Sequence, residues 1–222
     1  VISLIVNTPL PIILALLINE VQNKKFKKFI QTISYAPYFI SLVVLVGMFN
    51  MFLKTDGGMI NKILNLFNIP SVDFLGNEKY FRAIYVISGL WQGIGWWSII
   101  YVGALSNVDK SLHEAASIDG ASRFQRIIHI NLPYLKPLIV ITFIMAVGSL
   151  MSVGFEKVYL MQNASNREVS EIIATYAYTV AFKNTKDFGF GSAIGLFNSV
   201  INSFLLIIAN FISKKVNNES LF

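Results

Sequence analysis

A chain of 222 residues in which 55% of side chains are hydrophobic, only 14% are charged and the mean hydropathy is +0.60 falls outside the range of soluble globular domains and reads as an integral membrane protein. It contains no cysteine, which excludes a disulfide framework and a thiolate metal centre, and His113 and His129 stand singly in polar stretches rather than as ligand pairs. The net charge is +6, but its lysines crowd against apolar runs, so the partner of that charge is anionic lipid and not nucleic acid.

A hydrocarbon core about 30 Å thick takes ~20 mostly apolar residues per helix. The segments that qualify are roughly 1–19, 29–53, 81–105, 138–161 and 188–212. The first carries Pro9 and Pro11 and the second Pro37, and neighbouring helices must compensate for both interruptions. Because the chain opens on Val1, already inside an apolar run, a preceding segment with one more span is expected.

Between the second and third spans, residues 54–80 form an extracytoplasmic loop. Within it Met59, Ile60, Ile63, Leu64 and Phe67 recur at helical spacing, which predicts an amphipathic helix resting in the outer headgroups. The third span contains "GLWQGIGWWSIIY", where Gln92 and Trp96 share one helical face and Gly89 and Gly93 occupy the adjoining line. An intramembrane amide usually faces a bundle interior, and aromatic rings stack on sugars, so Gln92, Gly93 and Trp96 are candidates for a solute pathway. Close helix packing explains the glycines and tryptophans equally well, and both readings stay open.

The longest polar stretch follows, within residues 106–137. Ser111 to Glu114 and Ser122 to Gln125 both match the capping box that starts a helix. Gly120 suits the left-handed residue that ends the first helix, and Pro133 is expected to end the second near Leu132. The result is a helix-turn-helix knob presenting Leu112, Ile118, Phe124, Ile127 and Ile128 to a groove on another protein, or else an ordinary connecting loop resting on its own bundle.

In the fourth span Ser149, Ser152 and Phe155 are further, weaker pathway candidates. The extracytoplasmic loop 162–186 repeats helical spacing at Val169, Ile172, Ile173, Tyr176 and Val180, and Asn198 and Asn202 of the last span share a face suited to bonding a neighbouring helix. Alternate loops lie on opposite sides. "KKFKK" at 24–28 and Lys214-Lys215 press directly against spans on the side that also holds 106–137, so the positive-inside rule makes that side cytoplasmic.

Glu114-Ala115-Ala116, three residues, Gly120, nine residues, then Ile130-x-Leu132-Pro133 resembles the EAA loop of permease subunits in binding-protein-dependent ABC importers. Asp119 and Ala121 complete the "DGA" common in carbohydrate importers of this kind. "ILALLINEVQNKKFKKFIQTISYAPYFIS", "GGMIN" and "FEKVYLMQNASNREVSEIIATYAYTVAF" are similar to the branch that imports oligosaccharides released from polysaccharides. The resemblance covers essentially the whole chain. It implies an all-α polytopic bundle of the type I importer permease over 1–222, with five visible spans of a six-span core, in a bacterial inner membrane. It further implies a second homologous permease subunit, two ATP-binding cassette subunits carrying ATP and Mg, and an extracytoplasmic solute-binding protein. The coupling contacts would be Glu114, Ala115, Ala116, Asp119, Gly120, Leu132 and Pro133.

No G-x-x-x-x-G-K-[ST] phosphate loop occurs, so energy from ATP would have to enter through another chain, and no cofactor is expected on this one. An ion-gradient-driven secondary transporter or channel would want acidic or histidine side chains inside the spans, and a membrane-embedded enzyme would want paired carboxylates or a histidine cluster. The span interiors offer neither. Importer permeases for non-sugar solutes share the loop pattern and remain an alternative.

The cysteine-free background permits a direct test of orientation. Single cysteines introduced at Lys27 and Ser122 are expected to react with an impermeant thiol reagent only from the cytoplasmic face, and one at Asn77 only from outside; reversed accessibility would overturn the topology.

Overall fold

The computed structural model describes residues 2–184 and 186–217, and is helical throughout, with no strand among these residues. In chain order the helices are α1 (Ile2–Asn7), α2 (Pro9–Glu20), α3 (Lys24–Tyr35), α4 (Leu42–Leu53), α5 (Met59–Leu66), α6 (Glu78–Leu105) and α7 (Lys110–Ile118). They continue as α8 (Arg123–Arg126), α9 (Leu132–Gly148), α10 (Phe155–Met161), α11 (Arg167–Ser170), α12 (Ile173–Tyr178) and α13 (Phe188–Asn217). Four stretches are long and apolar enough to cross a membrane alone, namely Ile2–Glu20, Glu78–Leu105, Arg123–Gly148 and Phe188–Lys215; Lys24–Phe39 with Leu42–Leu53 makes a fifth if that interrupted pair counts as one span. This is the all-α, polytopic architecture expected. Val1, assigned to the first span, and Thr185, in the 162–186 loop, lie outside the described residues.

Three boundaries differ from the sequence reading. The expected span 29–53 is two pieces: α3 starts at Lys24, runs into a 3-10 turn over Ala36–Phe39 at Pro37, and stops before Ser41 caps α4 by accepting from the Val44 amide at 3.3 Å. Hydropathy misses this break because the residues on either side are all apolar. The expected span 138–161 instead begins at Arg123. Pro133 does not end the helix, because residues Ile127–Asn131 form a wider π-turn and Pro133 falls in the first turn of the α-helical segment after it. A proline there gives up an amide that has no α-helical partner in any case. The span then ends at Gly148, and 155–161 is the separate helix α10. Last, the helical spacing over 169–180 becomes α11, a break and α12, followed by a π-turn over Thr179–Asn184.

The residues form two compact units. The first takes in the described parts of 1–39, 90–150 and 203–222. Its core is Ile12, Ala15 and Leu16 of α2, Tyr101 and Leu105 of α6, Val108 of the turn after α6, and Leu135 of α9. The Tyr101 hydroxyl, buried with the ring, meets Thr142 Oγ1 at 2.7 Å, so the one polar group in that core is partnered. Helix α3 buries nothing: Asn23 caps it through its side-chain oxygen, and Phe26, Phe29 and Ile33 lie exposed beside four lysines, the make-up of a helix resting at a lipid interface.

The second unit holds 40–89 and 151–202. Val46, Phe81, Val158 and Met161 form its centre. Helix α5 occupies the expected amphipathic segment, and the one residue that it buries, Asn61, is polar. Asn61 donates to the Lys54 and Val72 carbonyls at 3.0 and 2.9 Å and accepts from the Val72 amide at 2.9 Å, while Met59, Ile63, Leu66 and Phe67 face outward. Asn166 does the same for the 162–186 loop, donating to the Leu75 and Met161 carbonyls at 3.0 and 3.1 Å. Asn163 also donates to Leu75, at 2.9 Å, so the side chain at the head of the "NAS" tripeptide is occupied in joining the two loops.

Removing the Asn166 side chain takes away its donation to the Met161 carbonyl and the acceptor of the Asn163 amide. Asn166→Ala is expected to lower the apparent melting temperature of the purified protein, with a loss of about 1–3 kcal/mol, whereas Ser165→Ala, at an exposed neighbour, should not.

Candidate functional site

The 106–137 loop is a rigid two-helix corner. Helix α7 starts not at a Ser111 capping box but at Asp109, whose carboxylate accepts from the Ser111 amide at 2.9 Å and is held below the usual carboxylate range by that bond. Aspartate two residues earlier outcompetes serine for the free amides of the first turn. The other end matches expectation closely. Gly120 takes φ +77°, the Ala121 amide reaches back to the Ala116 carbonyl at 2.8 Å and the Gly120 amide to Ser117 at 3.2 Å, the paired bonds of a Schellman stop. Two residues later Ser122 and Gln125 exchange bonds at 3.3 and 2.7 Å in a complete capping box. Arg126 donates to Ser117 Oγ across the corner.

On this frame Glu114 and Ala115 are exposed, Ala116 is half-buried, and Asp119, Leu132 and Pro133 are exposed. Ile118 is 87% and Phe124 70% solvent-accessible, with Leu112 and Ile128 also open. These apolar side chains stand exposed on a polar, doubly capped corner and are not buried in the chain's own core. Ile127 is only half-buried, and it and Ile130 pack toward the core of the first unit. Asn131 in the π-turn is fully buried, with neither side-chain polar atom bonded, a feature that sequence reasoning passed over. His113 and His129 remain single, and His129 Nδ1 meets the Gln125 carbonyl at 2.9 Å.

The pathway candidates fall into the two units separately. In the first, Trp96 is 39% exposed and lies flat on Tyr38, centroids 4.4 Å apart and planes within 2°, with Phe39 edge-on at 6.1 Å. The 3-10 turn at Pro37 places both partners, so the break in the second apolar segment builds this aromatic face. Gln92 is half-buried. Gly93 makes room for the Trp97 ring and not for Trp96. The glycine that lets helices meet is Gly95, which the sequence reading did not single out: a Cβ there would run into the Ser34 carbonyl at the end of α3. Ser149 is exposed and bonds back to its own helix at Ala146.

In the second unit Ser152 accepts from Asn202 Nδ2 at 2.8 Å, and Asn202 Oδ1 accepts from the Met151 amide at 3.1 Å. Asn202 thus does bond a neighbouring segment, and it ties down the helix break that follows Gly148. Phe155 opens an aromatic series, 5.5 Å from Tyr159 and 5.3 Å from Tyr178. Lys183 stands over the Tyr159 ring at 4.9 Å; bonding between the two holds the phenol below its usual range and the amine above its own. Lys157, also missed, is buried without a carboxylate, donating to the Tyr85 carbonyl at 3.0 Å and covering the Tyr85 ring at 4.8 Å. No cluster of three or more potential metal ligands exists among the described residues.

Known proteins share this sequence and geometry. The chain is 42% identical over 214 residues to the polygalacturonan/rhamnogalacturonan transport system permease protein YteP of Bacillus subtilis (strain 168), covering 96% of this chain and 66% of that protein. Protein LplB of the same organism is 40% identical over 214 residues, covering 96% and 67%. The chain therefore spans about two thirds of the length of these curated relatives. Among solved structures, a chain of the bacterial alginate ABC transporter in complex with an alginate pentasaccharide-bound periplasmic protein superposes with a TM-score of 0.94 at 34% identity, over 99% of this chain and 76% of that one. This gives the fold as that of the type I ABC importer permease. A family profile described as "Binding-protein-dependent transport system inner membrane component" matches residues 7–218, and the chain belongs to that family.

Proposed function

We propose that this protein is a membrane-spanning subunit of an ATP-driven importer for oligosaccharides, forming part of the path for a sugar handed over by an extracytoplasmic solute-binding protein in a bacterial cytoplasmic membrane. The observation that carries the reading is the family match over 7–218 joined to the capped, apolar-ridged corner at 106–137. The named solutes of the relatives support a saccharide: polygalacturonan and rhamnogalacturonan for one, and alginate, an acidic polysaccharide, for the structural neighbours.

In this reading the ridge of Leu112, Ile118 and Phe124 sits in a groove on an ATP-binding cassette subunit, and a second permease subunit and a second cassette subunit complete the assembly. ATP and Mg belong to those partners. Glu114 supplies a charged contact, Ala115 and Ala116 allow close approach, and the Gly120 stop fixes the angle between α7 and α8. Asp119, Leu132 and Pro133 complete the loop. A corner stiffened by two caps and the Arg126 bridge transmits displacement instead of absorbing it, so closure of the cassette dimer would move the attached span as a lever. On the pathway side Trp96 offers a ring face beside Tyr38 and Gln92 an amide, with Gly93, Ser149, Ser152 and Phe155 as further wall residues.

Two measurements test these roles. Ile118→Asp lies at an exposed position and should insert normally, yet weaken assembly with the cassette subunit by roughly tenfold or more, as loss of an interface anchor does. Gly120→Pro and Glu114→Lys should likewise uncouple ATP hydrolysis from transport, because proline cannot adopt a positive φ. Unchanged assembly and transport in all three would make 106–137 a plain connector.

For the pathway, uptake of several oligosaccharides is compared with melting temperature for Trp96→Ala, Gln92→Ala and Trp97→Ala. Loss of the Tyr38 stack should cost about 0.5–1.5 kcal/mol of stability. A pathway role adds a loss of uptake, with altered preference among sugars, at positions 96 and 92 that position 97 does not share. Stability losses alone, without a change in preference, would make Trp96 a packing residue.

A further inference from the structure

Helix α3 stands apart within the first unit. None of its residues is buried, although Phe26, Phe29, Ile30 and Ile33 fall on one face by helical spacing. Phe26, Phe29 and Ile33 are each more than half exposed. Lys24, Lys25, Lys27 and Lys28 flank and oppose that face, and the helix carries no acidic residue. Among the described residues none of the four makes an ion pair, not even with Glu20, the acidic residue nearest in sequence. Helix α13 also exposes large apolar side chains, but no lysine stands among them before Lys214, so that helix suits hydrocarbon on every side. Helix α3 suits only a boundary, because a cation is costly in hydrocarbon and an exposed phenyl ring is costly in water. Its far end is where the chain holds it. The Ser34 carbonyl lies where a Cβ on Gly95 would be, and the next turn lays Tyr38 on Trp96 with centroids 4.4 Å apart.

We propose that α3 is an attachment site for anionic phospholipid, with Phe26, Phe29 and Ile33 among the acyl chains and the four lysines on the headgroup phosphates, and that this attachment holds the following turn against Trp96. Charge selects the lipid. A zwitterionic headgroup brings its own cation to its phosphate, whereas phosphatidylglycerol offers a net negative charge, and each lysine near such a surface strengthens attachment about fivefold. An acidic soluble protein fits the lysines but leaves the apolar face opposite them in water. Lipid answers both faces at once. The consequence reaches beyond the helix itself, because Tyr38 and Phe39 follow directly from it and both touch the Trp96 ring. Lipid charge thus becomes a condition for the aromatic face, whatever solute the chain carries.

The test uses the full-length protein with its partner subunits in phosphatidylcholine bilayers, with and without phosphatidylglycerol, and the cysteine-free chain accepts single bimane labels. One label sits at Phe29→Cys, where it keeps an apolar ring on the lipid face. Phosphatidylglycerol should lower its quenching by aqueous acrylamide about threefold or more and raise its quenching by lipids brominated on the acyl chain. Changing all four lysines to Gln should abolish that difference, and changing them to Arg should restore it. A second label at Phe39→Cys reads the turn, since bimane in contact with a tryptophan is quenched. With phosphatidylglycerol its emission should be low, and in the four-Gln variant about twofold or more brighter, with Trp96→Phe as the unquenched reference. Shielding of position 29 that is equal in both bilayers, or indifferent to the lysines, would overturn the anionic site. Shielding from both quenchers would overturn it too, by placing another subunit over α3. Lipid-charge dependence at position 29 with none at position 39 would overturn the link to Trp96. Neither label reports transport, so a failure here and a failure of the importer reading stay distinct.

Discussion

A chain that crosses lipid must satisfy its own main chain wherever a helix stops, because water is not available there to do it. In this protein short polar side chains answer that requirement at successive interruptions. Ser41 caps the restart after Pro37, Asn202 bonds the segment that follows Gly148, and Asn61 and Asn166 each fasten stretches of loop through several bonds at once. The Trp96 face lies beside such an interruption, because α3 ends in the turn that carries Tyr38 and Phe39.

The same requirement explains what could be read from the sequence. Apolar runs locate spans well, since burial in lipid is a property of composition, and the corner at 106–137 was legible because Gly120, Ser122 and Gln125 act locally, within a few residues of one another. The break near residue 40 and the end of the fourth span at Gly148 were not legible. At the first the cap is local, Ser41 on the Val44 amide, but it sits inside an apolar run that hydropathy reads as continuous. At the second the partner of Met151, Asn202, lies far along the chain, and an asparagine inside an apolar run does not announce which backbone group it serves. The glycine pattern of the third span misled for a similar reason. Gly89 and Gly93 fit the periodicity, but the close approach falls at Gly95, and only the path of α3 decides that. Ser111 matched a capping pattern that Asp109 pre-empts; a motif scan scores each candidate alone, while the amides of one helix start accept one cap.

Two segments handle polarity alike. At 106–137 polar groups are spent inside the corner, on caps and on the Arg126 to Ser117 bridge, and apolar side chains are left outside. Helix α5 likewise buries Asn61 and exposes Met59, Ile63 and Phe67. Both are inversions of the pattern of a soluble surface helix, and both leave hydrophobic area open to another apolar surface.

The π-turn at Ile127–Asn131 absorbs a residue. It holds one residue more than the α-helical turn it replaces, and by widening it spreads that residue over the same full turn. The compass direction in which α7 and α8 project from the span is thus nearly the one that a regular helix shorter by one residue would give. Deleting one residue from 127–131 would let the turn relax to regular α-geometry and leave the corner pointing almost as before. One residue deleted from the α-helical segment after it, with the wide turn kept, would instead rotate the corner by about 100°, more than a quarter turn. Grafts between related permeases can therefore differ by one residue inside this segment, but have to keep the residue count on either side of it.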